Sequence, residues 1–200
     1  MKQTRYLLAV LGCLLLASAS AQIDLGLSLT GLLARNPQLS AEFGVTERIG
    51  VEVSAGAALG GAELTVTDNN GTSTIAEYKR RGYLATVQPK LYFNPSSGID
   101  GLWLGLYARW RDITNSEPDA VFANDDLNEF NRKRLATGLN LGYKFVISDA
   151  FLIETHVGGG FAPYRKNDLL DELLEEGGLL GGLERVDLNF RLSVGYRIGG

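Results

Sequence analysis

The chain contains very little cysteine, methionine or histidine. Its 200 residues include one cysteine, Cys13, one methionine at position 1 and one histidine, His156. Because Cys13 lies within the first 21 residues, the remaining sequence offers no thiol for a disulfide bond, a nucleophile or a metal site. After residue 21, no stretch approaches the roughly 18 apolar residues of a membrane-spanning helix. These absences exclude thiol-dependent enzymes, disulfide scaffolds and helical membrane domains.

The first 21 residues have the pattern of a secretory signal peptide. Lys2 and Arg5 precede an apolar core at 6–17, and the small residues at 19–21 form a cleavage site. A lipoprotein signal cleaved before Cys13 is the alternative, which is disfavoured because apolar residues continue beyond Cys13. We therefore predict export with cleavage after residue 21.

The predicted mature domain, residues 22–200, is acidic. Loss of Lys2 and Arg5 with the signal takes the formal net charge from −4 to −6. A chain of this charge lacks the basic face that general nucleic-acid binding requires. Its length suits a single domain.

Alternation of apolar and polar residues is clearest at 186–198, which reads VDLNFRLSVGYRI. Successive side chains of a strand point to opposite faces, so this strand has one apolar face and one face of charged and small residues. Similar segments recur between turn residues. The eight predicted strands are 23–33, 38–46, 49–60, 82–94, 101–114, 133–147, 150–164 and 186–198.

The connections between these segments alternate in length. Short turns follow the second, fourth and sixth segments, whereas the long polar stretches 61–81, 115–132 and 165–185 follow the third, fifth and seventh. An even strand number, with short turns on one side and long loops on the other, is typical of bacterial outer-membrane barrels. We therefore predict an all-β fold: an eight-stranded antiparallel up-and-down transmembrane β-barrel after an N-terminal signal peptide.

Charges of both signs occur on the polar face of the predicted strands. The interior of an eight-stranded barrel is only wide enough for side chains, and buried charges persist when they are paired. We therefore predict that the glutamates on this face pair with its lysines and arginines. The predicted interior charge network consists of Glu42, Glu52, Lys90, Arg109, Lys144, Glu154, His156, Arg191 and Arg197.

Aromatic residues of the apolar face concentrate at the two predicted ends of the barrel. Two aromatic girdles are typical of a barrel in a bilayer. The alternative is a soluble, lipocalin-like barrel with the apolar face inward. We call the end with the short turns the lower end and the end with the long loops the upper end. The predicted girdle residues are Phe93, Phe145, Phe151 and Tyr196 at the lower end, and Tyr83, Trp110 and Phe161 at the upper end.

Several short motifs occur in an order that resembles a known family. They are Val87-Gln88-Pro89-Lys90-Leu91-Tyr92-Phe93, Gly101-Leu102-Trp103-Leu104-Gly105-Leu106, Gly142-Tyr143-Lys144, the stretches 148–154 and 158–160, and Val194-Gly195-Tyr196-Arg197. Together they are similar to the bacterial outer-membrane family known as domain of unknown function 3575, over roughly residues 40–200. Lys90 stands where that pattern has an acidic residue. The resemblance implies a small OmpA/OmpX-like barrel and offers no established activity.

Three other features could have a function or a plain structural role. His156 could act as a base, but its predicted interior position favours a structural hydrogen bond. The acidic segment 124–129 could bind a divalent cation, although it lacks calcium-loop spacing and is more readily a solvated loop. The segment 168–176 (DLLDELLEE) predicts a short amphipathic helix that packs on the rim or binds a partner. Pro89, inside a strand, predicts a bulge or a local gap in pairing.

The sequence thus predicts a small integral outer-membrane protein, exported by a Gram-negative-type bacterium, with a plugged polar interior. A structural or interaction role through the external loops is expected, with outer-membrane lipid and lipopolysaccharide as surroundings and a protein partner at the loops. We expect a monomer, with no catalytic residue, metal, cofactor or nucleic-acid partner. The alternatives are a membrane-embedded lipid-modifying enzyme, a soluble ligand-binding barrel and a narrow pore.

Overall fold

The computed structural model describes residues 22–67, 73–96, 98–116, 129–148, 150–167 and 185–199. The predicted signal peptide with Cys13, all of the acidic segment 124–129 except Glu129, and the predicted helix at 168–176 lie outside these residues. In the described part of the chain, no helix has the length and apolar character needed to cross a membrane.

Eight strands and one short helix form the described fold. In chain order they are β1 (Ile23–Ser28), α1 (Leu29–Leu33), β2 (Gln38–Gly44), β3 (Ile49–Thr67), β4 (Ser73–Phe93), β5 (Gly101–Ser116), β6 (Glu129–Ile147), β7 (Phe151–Asn167) and β8 (Val186–Ile198). Each strand pairs antiparallel with its sequence neighbours, and β1 also pairs with β8, so the sheet closes. The predicted eight-stranded antiparallel up-and-down barrel is confirmed.

The barrel wall separates apolar from charged side chains. Along β5, exposed and buried residues alternate from Leu102 to Arg109. Leu39 and Phe190 are 67% and 63% exposed, whereas Glu52 and Lys144 are 2% and 1% exposed. The apolar face therefore points outward and the charged face inward, which is the reverse of a soluble barrel.

The first predicted strand, 23–33, is wrong in its second half. β1 ends at Ser28, whose Oγ accepts a hydrogen bond from the Gly31 N–H at 3.0 Å and caps helix α1. Thr30 Oγ1 then accepts a hydrogen bond from the Leu192 N–H of β8 at 3.3 Å. A single helical turn thus satisfies a β8 donor that a longer β1 would have paired. Leu29, Leu32 and Leu33 also fit helical spacing, so alternation alone was ambiguous here.

The long predicted loops are shorter than expected, because the strands continue into them. β3 and β4 stay paired in one register from Ile49 opposite Leu91 to Thr67 opposite Ser73. Most of the predicted loop 61–81 is therefore strand. Polar residues predominate there, so the sequence shows no alternation of apolar and polar residues. The backbone hydrogen bonds between β3 and β4 do not depend on an apolar face.

Pro89 lies within β4 without changing its register. On the β3 side the pairing is continuous. On the β5 side it passes from Val87 opposite Ala108 to Lys90 opposite Gly105, with the pairs between them missing. Because proline has no N–H to donate, the backbone pairing with β5 is interrupted beside Pro89. The local gap predicted from the sequence is present, without a bulge.

Candidate functional site

A lysine ammonium lies at the centre of the barrel interior. Lys90 Nζ is 2.7 Å from Glu42 Oε2 and 2.7 Å from Glu52 Oε2. It is also 2.8 Å from Glu154 Oε1, and the Lys90 side chain is fully buried. The ammonium donates hydrogen bonds to Glu42 and Glu154 and forms an ion pair with Glu52, so it contacts carboxylates from β2, β3 and β7. Trp103 covers the ammonium, with its ring centroid 4.5 Å from Nζ.

The three glutamates have the composition of a cation site. Their carboxylate oxygens lie within 4.8 Å of one another and are buried. Carboxylates at this spacing suit a hard divalent ion. Here Lys90 Nζ lies among them, so the chain supplies its own cation, and a metal could enter only by displacing that ammonium.

Lys144 and Arg191 extend the cluster to either side. Lys144 Nζ lies 2.9 Å from Asp24 Oδ2 and 2.6 Å from Glu42 Oε2. Arg191 binds Glu52 through both terminal nitrogens, each 2.6 Å from a carboxylate oxygen. This paired geometry makes the arginine–carboxylate contact strong and directional.

Arg197 closes the lower end of the cluster. Its Nε lies 2.8 Å from Asp24 Oδ1, and its Nη2 donates to the Ile99 carbonyl oxygen at 3.1 Å. The ion pairs described above join four negative and four positive groups, which together are called the lower cluster. It consists of Asp24, Glu42, Glu52, Glu154, Lys90, Lys144, Arg191 and Arg197. Because burial of an unpaired charge is costly, this balance is what allows eight ionic groups to share one small interior.

Aromatic rings fill the space between the charges. Tyr92 OH donates a hydrogen bond to Glu42 Oε1 at 2.6 Å. Trp103 is fully buried beside Lys90 and is accommodated by glycine. A Cβ on Gly142 would overlap the indole ring, and a Cβ on Gly105 would lie 3.0 Å from the same ring. At this level Tyr92 and Trp103 therefore lie among the charged side chains of the lumen.

Arg109 lies apart from this cluster, nearer the upper end. Its Nη1 is 3.3 Å from Asp187 Oδ2, and Tyr107 OH donates to the same oxygen at 2.8 Å. Arg111 and Arg134 also approach the Asp187 carboxylate, at 3.8 and 3.5 Å. One carboxylate therefore faces three guanidinium groups.

His156 sits between the lower cluster and this upper group. Its Nε2 is 3.1 Å from Asn189 Nδ2, and its Nδ1 is 3.9 Å from Glu154 Oε1. The ring meets Trp103 edge to face, with centroids 5.5 Å apart. In the described part of the chain, its hydrogen-bonding partner is an amide rather than a hydroxyl, so the geometry assembles no nucleophile with this base.

Sequence reasoning missed two carboxylates that organise the interior. Asp24 binds Lys144 and Arg197, and Asp187 is the acceptor for the arginines of the upper group. Both occupy inward positions of strands recognised from the sequence. Extending the inward parity of β1 and β8 to their acidic residues would have found them.

The predicted girdle residues lie on the outer surface. Phe151 and Tyr196 meet edge to face, with centroids 5.6 Å apart, on neighbouring strands at the lower end. Trp110 is half-buried and stacks on Tyr164, with centroids 5.9 Å apart. The remaining girdle residues are exposed. They are Tyr83, Phe93, Phe145 and Phe161.

The sequence was then compared with known families and structures. The family profile described as "Protein of unknown function (DUF3575)" matches residues 6–172. The chain belongs to this family. The match includes the strands that carry Lys90 and its three glutamates and ends before β8, so Arg191 and Arg197 lie outside the DUF3575 range. A search of curated proteins found no significant match.

The solved structures to which the chain is similar include three bacterial proteins. The N-terminal β-barrel domain of Pseudomonas aeruginosa OprF has 12% identity and a TM-score of 0.47, covering 88% of this chain and 97% of that domain. Ail, the attachment invasion locus protein of Yersinia pestis, has 14% identity and a TM-score of 0.44, with 90% and 97% covered. Acinetobacter baumannii CarO has 11% identity and a TM-score of 0.44, also with 90% and 97% covered.

Proposed function

We propose that this DUF3575 member is a small integral protein of the bacterial outer membrane, with a structural or interaction role at its external end. The observation that carries the proposal is the polarity of the barrel wall. Leu106, Val157 and Phe190 are among the apolar side chains exposed on the outer surface, while the charges are inside. An apolar outer band requires a lipid environment, since in water it would be a large aggregation-prone patch.

The N-terminal sequence supports the same location. A cleavable signal at 1–21 would export the chain, and a closed barrel satisfies the backbone hydrogen bonds that lipid cannot. We expect outer-membrane lipid and lipopolysaccharide as the surroundings, a protein partner at the external loops, and a monomer, because β1 and β8 pair within one chain. A soluble lipocalin-like barrel would need its apolar face inside.

We further propose that the interior is plugged. The eight charges of the lower cluster, together with Tyr92 and Trp103, join strands on opposite sides of the barrel across the lumen. A continuous water path would have to break several of these contacts at once. A lipid-modifying enzyme is less well supported, because His156 is buried inside rather than facing lipid.

Planar-bilayer recording of the purified protein tests the plug. We expect no steady conductance from protein whose heat-modifiable gel migration shows that it is folded. Two double variants are compared as folded protein. Lys90→Ser with Lys144→Ser shortens two plug side chains and should raise the conductance, whereas Lys79→Ser with Lys133→Ser changes lysines near the upper rim and should leave it as in the wild type. Steady open channels from the wild type would contradict a plugged interior and favour the narrow-pore alternative.

A further inference from the structure

The upper half of the barrel interior contains a cavity of about 270 Å³. This volume is several times the roughly 30 Å³ that one water molecule occupies in the liquid. The lining includes Thr86, Gln88 and Asn189, and four arginines reach it: Arg80, Arg109, Arg111 and Arg191. No aspartate or glutamate is among the lining residues described by the structure.

The charge around this cavity is not balanced, in contrast to the lower cluster. Arg191 is neutralised by Glu52. Arg109, Arg111 and Arg134 share the single carboxylate of Asp187. No described carboxylate lies within ion-pair distance of Arg80. Among the side chains that the structure describes, Arg80, Arg109, Arg111 and Arg134 thus carry four positive charges beside the single carboxylate of Asp187, in a polar, partly enclosed space.

Strands do not form the whole side wall of the cavity. β1 pairs with β8 only as far as Ser28 opposite Ser193, and β2 pairs with β3 only as far as Gln38 opposite Gly56. Above this level, α1 and residues 34–37 lie between β8 and β3, and the Ala57 and Leu59 N–H groups donate to the carbonyl oxygens of Pro37 and Arg35 at 3.1 and 2.9 Å. Leu188 and Phe190, whose side chains are exposed on the outer surface, also line the cavity. These two residues give the cavity an apolar border on the β8 side.

We propose that this cavity binds a phosphate-bearing ligand, with the phosphate among Arg80, Arg109 and Arg111. Guanidinium groups bind phosphate through paired, charge-assisted hydrogen bonds, and a cleft of one charge sign concentrates ions of the opposite sign. The ligand is either free phosphate or the phosphorylated head group of a lipid, since the polar lining residues Thr86, Gln88 and Asn189 suit the former and the apolar border at Leu188 and Phe190 suits the latter. The inference rests on the cavity alone and is independent of the proposed location in the outer membrane.

Phosphorus NMR on the folded protein in an uncharged detergent tests this inference. The probes are inorganic phosphate and, separately, phosphatidic acid as a minor component of the micelles, with phosphatidylcholine as the neutral lipid reference. We expect a saturable change in linewidth that weakens at high ionic strength. Arg80→Gln and Arg111→Gln should each weaken binding about tenfold to a hundredfold, as expected for loss of one charged hydrogen-bonding group.

The matched control is Arg81→Gln, because Arg81 is adjacent to Arg80 but is exposed and absent from the cavity lining. It should leave the affinity unchanged, and Arg80→Lys should retain part of it. Binding of inorganic phosphate that depends on Arg80 identifies a free-ion site, whereas Arg80-dependent binding of phosphatidic acid alone identifies a lipid head-group site. If the folded wild type binds neither probe, or if Arg81→Gln weakens binding as much as Arg80→Gln, the proposal is overturned.

Discussion

At the residue scale, one ammonium holds three carboxylates together. Lys90 bridges Glu42, Glu52 and Glu154, and its removal would leave the lower cluster with an uncompensated negative charge. The loss of one partner from a buried ionic group costs far more than the loss of an exposed pair, because the remaining charges stay desolvated.

We therefore expect Lys90→Met to lower the free energy of unfolding by about 3–5 kcal/mol. The control is Lys133→Met, whose side chain is 42% exposed and 3.6 Å from Asp112. That change should stay within about 0.5 kcal/mol of the wild type. Urea unfolding in lipid vesicles, followed by tryptophan fluorescence, measures both. Similar losses for the two variants would show that Lys90 does not bear a buried charge.

A second residue-scale prediction concerns the space for Trp103. Because a Cβ on Gly142 would overlap the Trp103 indole ring, Gly142→Ala should destabilise the barrel by about 1–3 kcal/mol through overpacking. Gly159→Ala is the control, since its Cβ would meet its nearest neighbour, Leu188 Cδ2, at 3.8 Å. The same unfolding titration should find Gly159→Ala close to the wild type. A tolerated Gly142→Ala would mean that the ring has room to move.

At the element scale, helix α1 replaces the top of a strand. Thr30 Oγ1 accepts the Leu192 N–H, so Thr30→Val should cost about 1 kcal/mol by leaving that donor unpaired. Thr155→Val is the matched control, because Thr155 lies on the outer-facing side of β7 and the added methyl would enter the apolar band. Hydrogen exchange of the Leu192 amide should accelerate in Thr30→Val only. Unchanged protection of that amide in Thr30→Val would show that α1 does not cap β8.

The strands differ in how far the sequence reveals them. β8 alternates without interruption, so its limits at Val186 and Ile198 agree with the sequence prediction. The first predicted strand failed beyond Ser28, because the same leucines fit both the period of a strand and that of a helix. The parts of β3 and β4 within residues 61–81 were predicted to be loop. Apolar and polar residues alternate only where the two faces of a strand lie in different environments, and these parts are mostly polar.

The interior was predictable in its composition but not in its partners. Parity along each strand identifies which residues point inward, including Lys90 and Glu154. Which inward charges meet depends on the stagger between strands that are distant in sequence, such as Arg191 and Glu52, 139 residues apart. Nothing in a local pattern encodes that stagger, so the separation of Arg109 from the lower cluster emerged only from the structure.

At the scale of the whole molecule, the barrel interior has a lower part crossed by ion pairs and an upper part in which the described arginines outnumber the described carboxylates. The first joins strands on opposite sides of the lumen, and the second leaves room for a ligand. An apolar outer band surrounds both. The plug and the cavity require charges inside the barrel, and the membrane location requires apolar side chains on its outer surface, so all three depend on the direction of the two faces.

Two glutamate substitutions at adjacent positions, made one at a time, test that direction. Val87 is 48% exposed and lies between the girdle positions Tyr83 and Phe93, whereas Thr86 is 4% exposed and lines the cavity beside Arg109. An arginine facing lipid at mid-membrane costs about 2–4 kcal/mol and a carboxylate somewhat less, while a carboxylate in the positive cavity gains partners.

The decisive measurement is therefore the folded fraction of Val87→Glu and Thr86→Glu after refolding into lipid vesicles, read from heat-modifiable gel migration. The account predicts that Thr86→Glu inserts as well as the wild type and that Val87→Glu inserts poorly. If Val87→Glu inserted normally while Thr86→Glu failed, the charged face would be the outer one and the account would be contradicted.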